Sequence, residues 1–171
     1  VLRIIGDALV LVACSGLGFQ FAGGYEKRTR EIQSLMQSVR LLRTEIEFKH
    51  NPLPQALEHV AMRSDNGIAN VFQEAARELQ RGTVSVAEAF QFATQKYAGK
   101  LALQAGELNL LGEFGKTLGT SDMMSQVRQV DVILAGLDSC HQDALTAAGK
   151  NVRMWRYMGV LVGLTVVVLM S

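Results

Sequence analysis

Cysteine, proline and aromatic residues are all scarce in this chain, and each shortage excludes something. There are two cysteines and two prolines in 171 residues, and aromatics make up 6%. Two thiols cannot build the framework of a small disulfide scaffold. Cys14 lies in an apolar run and Cys140 in the charged middle, so both are read as reduced. The prolines fall at 52 and 54, which leaves the rest of the chain free of the residue that most strongly breaks helices. Excess positive charge is also missing: the formal net charge is +1, which offers no footprint for nucleic acid. The chain shows no Gly/Ser/Pro linker, low-complexity tract or internal repeat. No stretch alternates with a period of two for long enough to read as a strand.

Catalytic patterns are missing as well. Gly112-Glu113-Phe114-Gly115-Lys116-Thr117 ends like a phosphate loop, but it lacks the preceding strand and the earlier glycine. It reads as a glycine-rich helix end. His50 and His59 are separated by a proline break, and the neighbours Cys140 and His141 point about 100° apart on a helix. Neither pair makes a metal site by spacing. No Ser–His–Asp or Cys–His set has supporting context. The expectation is a protein that is not an enzyme, with no cofactor, metal, nucleic acid or small-molecule substrate, acting through its surfaces.

Apolar residues, in contrast, are concentrated at the two ends. One run is Ala8–Phe19 and the other Tyr157–Met170. Sixteen of the seventeen Lys and Arg, and fifteen of the sixteen acids, lie between Glu26 and Arg156. Both runs are short beside the roughly 20 apolar residues a membrane span takes. Arg153 and Arg156 can snorkel, however, and Trp155 and Tyr157 suit an interfacial belt. The expected layout is an N-terminal membrane anchor over 1–25, a cytoplasmic helical bundle over 26–152 and a C-terminal membrane anchor over 153–171. Lys27, Arg28 and Arg30 follow the first run, and Lys150, Arg153 and Arg156 precede or flank the second. By the positive-inside rule the middle faces the cytoplasm. Two alternatives remain. Leu11-Val12-Ala13-Cys14 resembles a lipobox, which would make the chain an exported lipoprotein lipidated on Cys14. Otherwise both runs are buried helices of a soluble bundle.

The middle reads as an all-α, antiparallel bundle of about six helices with short connections. Ile32, Leu35, Val39, Leu42 and Ile46 step 3, 4, 3, 4 along a first helix from about Glu26 to Lys49. Asn51-Pro52 ends it and starts the next, because the residue before proline leaves the α region and proline fits the first helical turn. The second helix presents Leu53, Ala56, Leu57 and Val60. Ser64–Gly67 is read as a turn. The third helix presents Ile68, Val71, Phe72, Ala75 and Leu79 and stops at Gly82. Ser85-Val86-Ala87-Glu88 is a capping box opening the fourth. A fifth covers about Leu103–Leu118. Its Gly112, Gly115 and Gly119 form a small stripe suited to close helix approach. The sixth starts near Asp122, carries Val127, Val130, Leu134 and Leu137, and continues without a break into the second apolar run.

Two segments carry a family resemblance: LLRTEIEFKHNPLPQAL at Leu41–Leu57 and EFGKTLGTSDMMSQVRQV at Glu113–Val130. They occur in the order and at the separation found in the stage III sporulation protein AB family, which the whole chain resembles. That family is similar to the platform proteins of type II secretion and type IV pili. The resemblance implies a component of the channel complex linking mother cell and forespore, in the mother-cell membrane around the forespore. It also implies a cytoplasmic secretion-type ATPase and other channel components as partners. The two motif regions, Thr44–Leu57 and Gly115–Gln126, each straddle a helix-to-helix corner. Glu45 and Asp122 are the candidate partner contacts. The competing readings are a solvated face for Glu45 and a helix cap for Asp122. Pro52, Gly115 and Gly119 are expected to serve structure.

Overall fold

The computed structural model describes residues 2–49, 52–118 and 123–170. In chain order they form α1 (Leu2–Lys49), α2 (Leu53–Ala61), α3 (Asn66–Arg81), α4 (Val86–Tyr97), a short 3-10 turn (Ala98–Lys100), α5 (Ala105–Leu118) and α6 (Met123–Met170). No strand occurs among the described residues. The all-helical expectation holds, with six α-helices. The first differs in extent: it starts at Leu2 rather than near Glu26 and is 48 residues long. Nothing between Phe19 and Glu26 breaks it, because Gly23 and Gly24 weaken a helix without removing a hydrogen bond. The sixth helix is also 48 residues and continuous, as expected.

The chain divides into two compact units, Arg30–Gln142 and Val1–Thr29 with Asp143–Ser171. In the larger unit α2 packs on α3, α3 on α4 and α4 on α5. Ile32, Leu35, Val39 and Leu42 of α1 are buried, as their spacing requires. They share the core with Leu57 and Val60 of α2, Val71 and Phe72 of α3, Phe90 of α4, Leu111 and Phe114 of α5, and Leu137 of α6. Phe90 is central: its ring meets Phe72 edge-on at 5.8 Å between centroids and Phe114 at 5.6 Å. Such T-shaped pairs set the edge of one ring against the electron-rich face of the next.

Local sequence sets the helix ends. Pro52 precedes the first turn of α2, and its carbonyl accepts from Ala56 N–H at 3.1 Å. Gly82 ends α3 with φ of 70°, a left-handed conformation that glycine adopts without penalty. Ser85 and Glu88 form both halves of the capping box. Two boundaries depart from the sequence reading. Asn66 and Gly67 belong to the first turn of α3 rather than to a loop. Gly67 is pressed there against Leu101, whose Cδ2 would lie 3.0 Å from a β-carbon on the glycine. Leu103 precedes α5 instead of opening it, because Leu101 and Leu103 are buried as extended anchors of the connection.

The smaller unit holds the two apolar ends. Both are helical. Among the described residues, no helix is long and apolar enough to cross a membrane. Most side chains of the two apolar runs, Cys14 included, lie outside the described residues.

Candidate functional site

Of the residues singled out from sequence, Asp122 and Gly119 lie outside the described residues. Glu45 is not on a solvated face. It is 1% exposed, and its Oε2 lies 3.4 Å from Nδ1 of His59, across the α1–α2 corner. Glu45 lies three residues past Leu42, on the same buried side of α1, and helical periodicity alone does not reveal that α2 supplies its neighbour. As a surface contact for a partner, Glu45 is therefore corrected to a group inside the corner. Pro52 is exposed at the start of α2.

The glycine stripe resolves into unlike members. A β-carbon on Gly115 would lie 2.5 Å from Cβ of Phe90 and 2.9 Å from its Cγ, so α4 and α5 touch there backbone to ring. Gly112 has open space where its β-carbon would stand. It borders a groove of about 440 Å³ between α4 and α5, with Gln91, Thr94, Gln95 and Asn109. Close approach therefore requires glycine at 115 but not at 112.

Sequence reasoning missed a set of buried glutamates. Glu31, Glu74 and Glu107 join Glu45 in the interior. Each meets a specific donor, as a buried carboxylate must. Glu31 Oε2 accepts the N–H of Ala102 at 2.5 Å and so ties the connection before α5 to α1. Glu107 Oε2 accepts the N–H of Gln104 at 2.6 Å and closes the first turn of α5. Glu74 on α3 meets Lys96 Nζ of α4 at 2.5 Å and Arg77 at 3.6 Å. The only available signal was an acid falling within or beside an apolar seam. Serines behave similarly. Ser34 Oγ accepts the N–H of Asp65 at 3.2 Å, and Ser38 Oγ is 2.6 Å from Ser64 Oγ, fastening the α2–α3 turn to α1. On the surface, Arg43 of α1 bonds Asp131 of α6 and approaches Glu47 at 3.5 Å.

At the α4 N-terminus, the backbone N–H of Ser85 donates to the Glu88 carboxylate at 2.8 Å, and so does the Ser85 hydroxyl. These bonds, the backbone one first, hold Glu88 below its ordinary pKa of 4.5. Among the described residues, no three His, Cys, Asp or Glu side chains gather as metal ligands. The arrangement consists of fastened corners and exposed helix faces.

The sequence model of "Stage III sporulation protein AB (spore_III_AB)" matches residues 3–171. This chain belongs to the stage III sporulation protein AB family. It is 30% identical over 169 residues to the stage III sporulation protein AB of Bacillus subtilis (strain 168), covering 99% of both chains. A solved structure of stage III sporulation protein AB matches with a TM-score of 0.69 at 28% identity, over 72% of this chain and 97% of that one. Membership in the stage III sporulation protein AB family is thus carried by sequence over nearly the full length and by fold over the greater part of it. It is consistent with a role in sporulation.

Proposed function

We propose that the chain is a non-enzymatic scaffold of the mother cell–forespore channel. Its apolar ends attach it to the mother-cell membrane around the forespore, and its helical bundle lies in the cytoplasm as the docking point for a secretion-type ATPase. The observation that carries the reading is a stripe on the last part of α6. Met154, Tyr157, Met158 and Leu161, spaced 3, 1 and 3, are all large, apolar and 44–65% exposed. A helix face of that kind is unfavourable in water and favourable against acyl chains. Arg153 stands at its head, where a headgroup layer would receive it. The family match supports the reading further, since it runs through both apolar ends. The ATPase assignment rests on the family's likeness to secretion platforms and on the polar groups that helix corners expose.

Membrane fractions from sporulating cells test attachment. The chain should stay in the pellet through high salt and alkaline carbonate; release by carbonate overturns it. A single cysteine at Thr83, an exposed position between α3 and α4, tests orientation. It should react with a membrane-impermeant maleimide only after lysis, and labelling in intact mother cells would reverse the topology.

A further inference from the structure

The larger unit exposes three large hydrophobic side chains among its described residues: Met62, Phe92 and Val132. Two of them stand next to charge of opposite sign. Phe92 on α4 is 50% exposed, and Lys96, one turn on, holds its Nζ 5.7 Å from the Phe92 ring centroid and 5.8 Å from that of Tyr97. Lys100 Nζ stands 5.4 Å from the Tyr97 centroid. These cations are held over aromatic faces, which lowers the entropy lost when they meet a partner. Lys96 and Arg77 share the single buried carboxylate of Glu74, so the three groups together keep one positive charge.

The outer face of α6 has the opposite character. Between Arg128 and Lys150 the helix carries Asp131, Asp138 and Asp143 and no Lys or Arg, and Arg43 of α1 already pairs with Asp131. Asp131 and Asp138 are seven residues apart, hence on one face, with exposed Ala135 between them. Val132 beside them is 71% exposed. Asp138 is exposed and makes no hydrogen bond or ion pair among the described residues.

We propose that the α4 ridge of Phe92 and Lys96 docks a second copy of this chain through the face of that copy's α6 at Val132 and Asp138. Each surface supplies what the other lacks: an apolar anchor beside a cation held over aromatic rings, and an apolar anchor beside the Asp138 carboxylate, unpaired among the described residues. Like charges keep two α4 ridges, or two α6 faces, from pairing with themselves. The contact therefore joins unlike surfaces. It either occurs twice across a two-fold axis or repeats from head to tail.

The experiment uses the full chain in mild detergent micelles, with a photoreactive phenylalanine analogue at position 92. Unlabelled photoreactive protein is mixed with ¹⁵N-labelled wild type and irradiated. Trypsin cuts after Arg128 and Lys150, so the expected product joins the Phe92 peptide to a heavy peptide spanning 129–150. Read as cross-linked dimer on a denaturing gel before digestion, the yield should fall about tenfold at low salt with Lys96→Glu and with Asp138→Lys, since reversal turns attraction into repulsion. Combining photoreactive Lys96→Glu with labelled Asp138→Lys should restore it. Lys96→Glu also deprives Glu74 of its partner, so Asp138→Lys, which has no partner to lose, decides the matter if the first variant misfolds. No cross-link between copies, cross-links confined to other peptides or to another protein, or full yield with Asp138→Lys overturns the proposal.

Discussion

Gly115 and Phe90 meet where α5 crosses α4, with the Phe90 β-carbon 2.5 Å from where a glycine β-carbon would be. Phe90 is also the middle ring of the Phe72–Phe90–Phe114 series, so it cannot give way without disturbing both edge contacts. Gly115→Ala should therefore lower stability by about 1–3 kcal/mol through overpacking, although alanine is the better helix former. Gly112→Ala, with open space at its β-carbon, should be neutral or stabilising by up to about 1 kcal/mol. Thermal melting of the two variants separates the cases. Equal behaviour would show that the crossing is looser than described.

The capping box gives a pH prediction. Ser85→Ala removes the acceptor for the Glu88 N–H and should cost about 1 kcal/mol. Glu88 has a pKa lowered on folding, from an ordinary 4.5, chiefly by the Ser85 backbone bond. Its contribution is thus fully present above pH 4.5 and is lost as the pH falls through the lower folded value. Glu88→Gln should flatten that part of the stability–pH curve. An unchanged acid limb in the variant would remove Glu88 from the account.

Glu31 fastens the connection before α5 to α1 through the Ala102 N–H. Glu31→Ala should destabilise by about 1–3 kcal/mol, because a donor is left in a site 7% exposed at the carboxylate that served it. Hydrogen exchange at Ala102 should accelerate more than exchange within α3. Uniform acceleration would mean a global effect instead.

Arg43 and Asp131 join α1 to α6 at the surface, with side chains 32% and 54% exposed. A double-mutant cycle with Arg43→Ala and Asp131→Ala should give a coupling of at most about 1 kcal/mol, shrinking as salt is added. A larger coupling that resists salt would show the pair to be shielded from solvent.

The ATPase reading predicts a charge effect at Asp122. Asp122→Asn keeps a capping oxygen and removes the charge. The variant should melt like wild type and retain less ATPase in a pull-down, with the loss greatest at low salt. Wild-type retention with Asp122→Asn, together with a lower melting temperature for Asp122→Ala, would make the residue a cap alone.

Features that depend on neighbours in sequence were legible from the chain itself. The Ser85–Glu88 box, the left-handed stop at Gly82, the proline opening of α2 and the Ile32–Leu42 seam each follow from a few adjacent residues, because capping bonds and helical periodicity act within one or two turns. The family was legible too, from two ordered motifs. Tertiary structure decided which residues meet. Gly112 and Gly115 look alike in the sequence, and only the crossing of α4 over α5 makes one indispensable and leaves the other beside a groove. Glu45 reads as an exposed acid until α2 folds back over it and supplies His59. Glu31 and Glu74 gain their roles from donors 71 and 22 residues away. Periodicity states which side of a helix is turned inward. It does not state what stands opposite, and in a close-packed interior the opposing atom determines whether a side chain is a clash, a bond or an open edge.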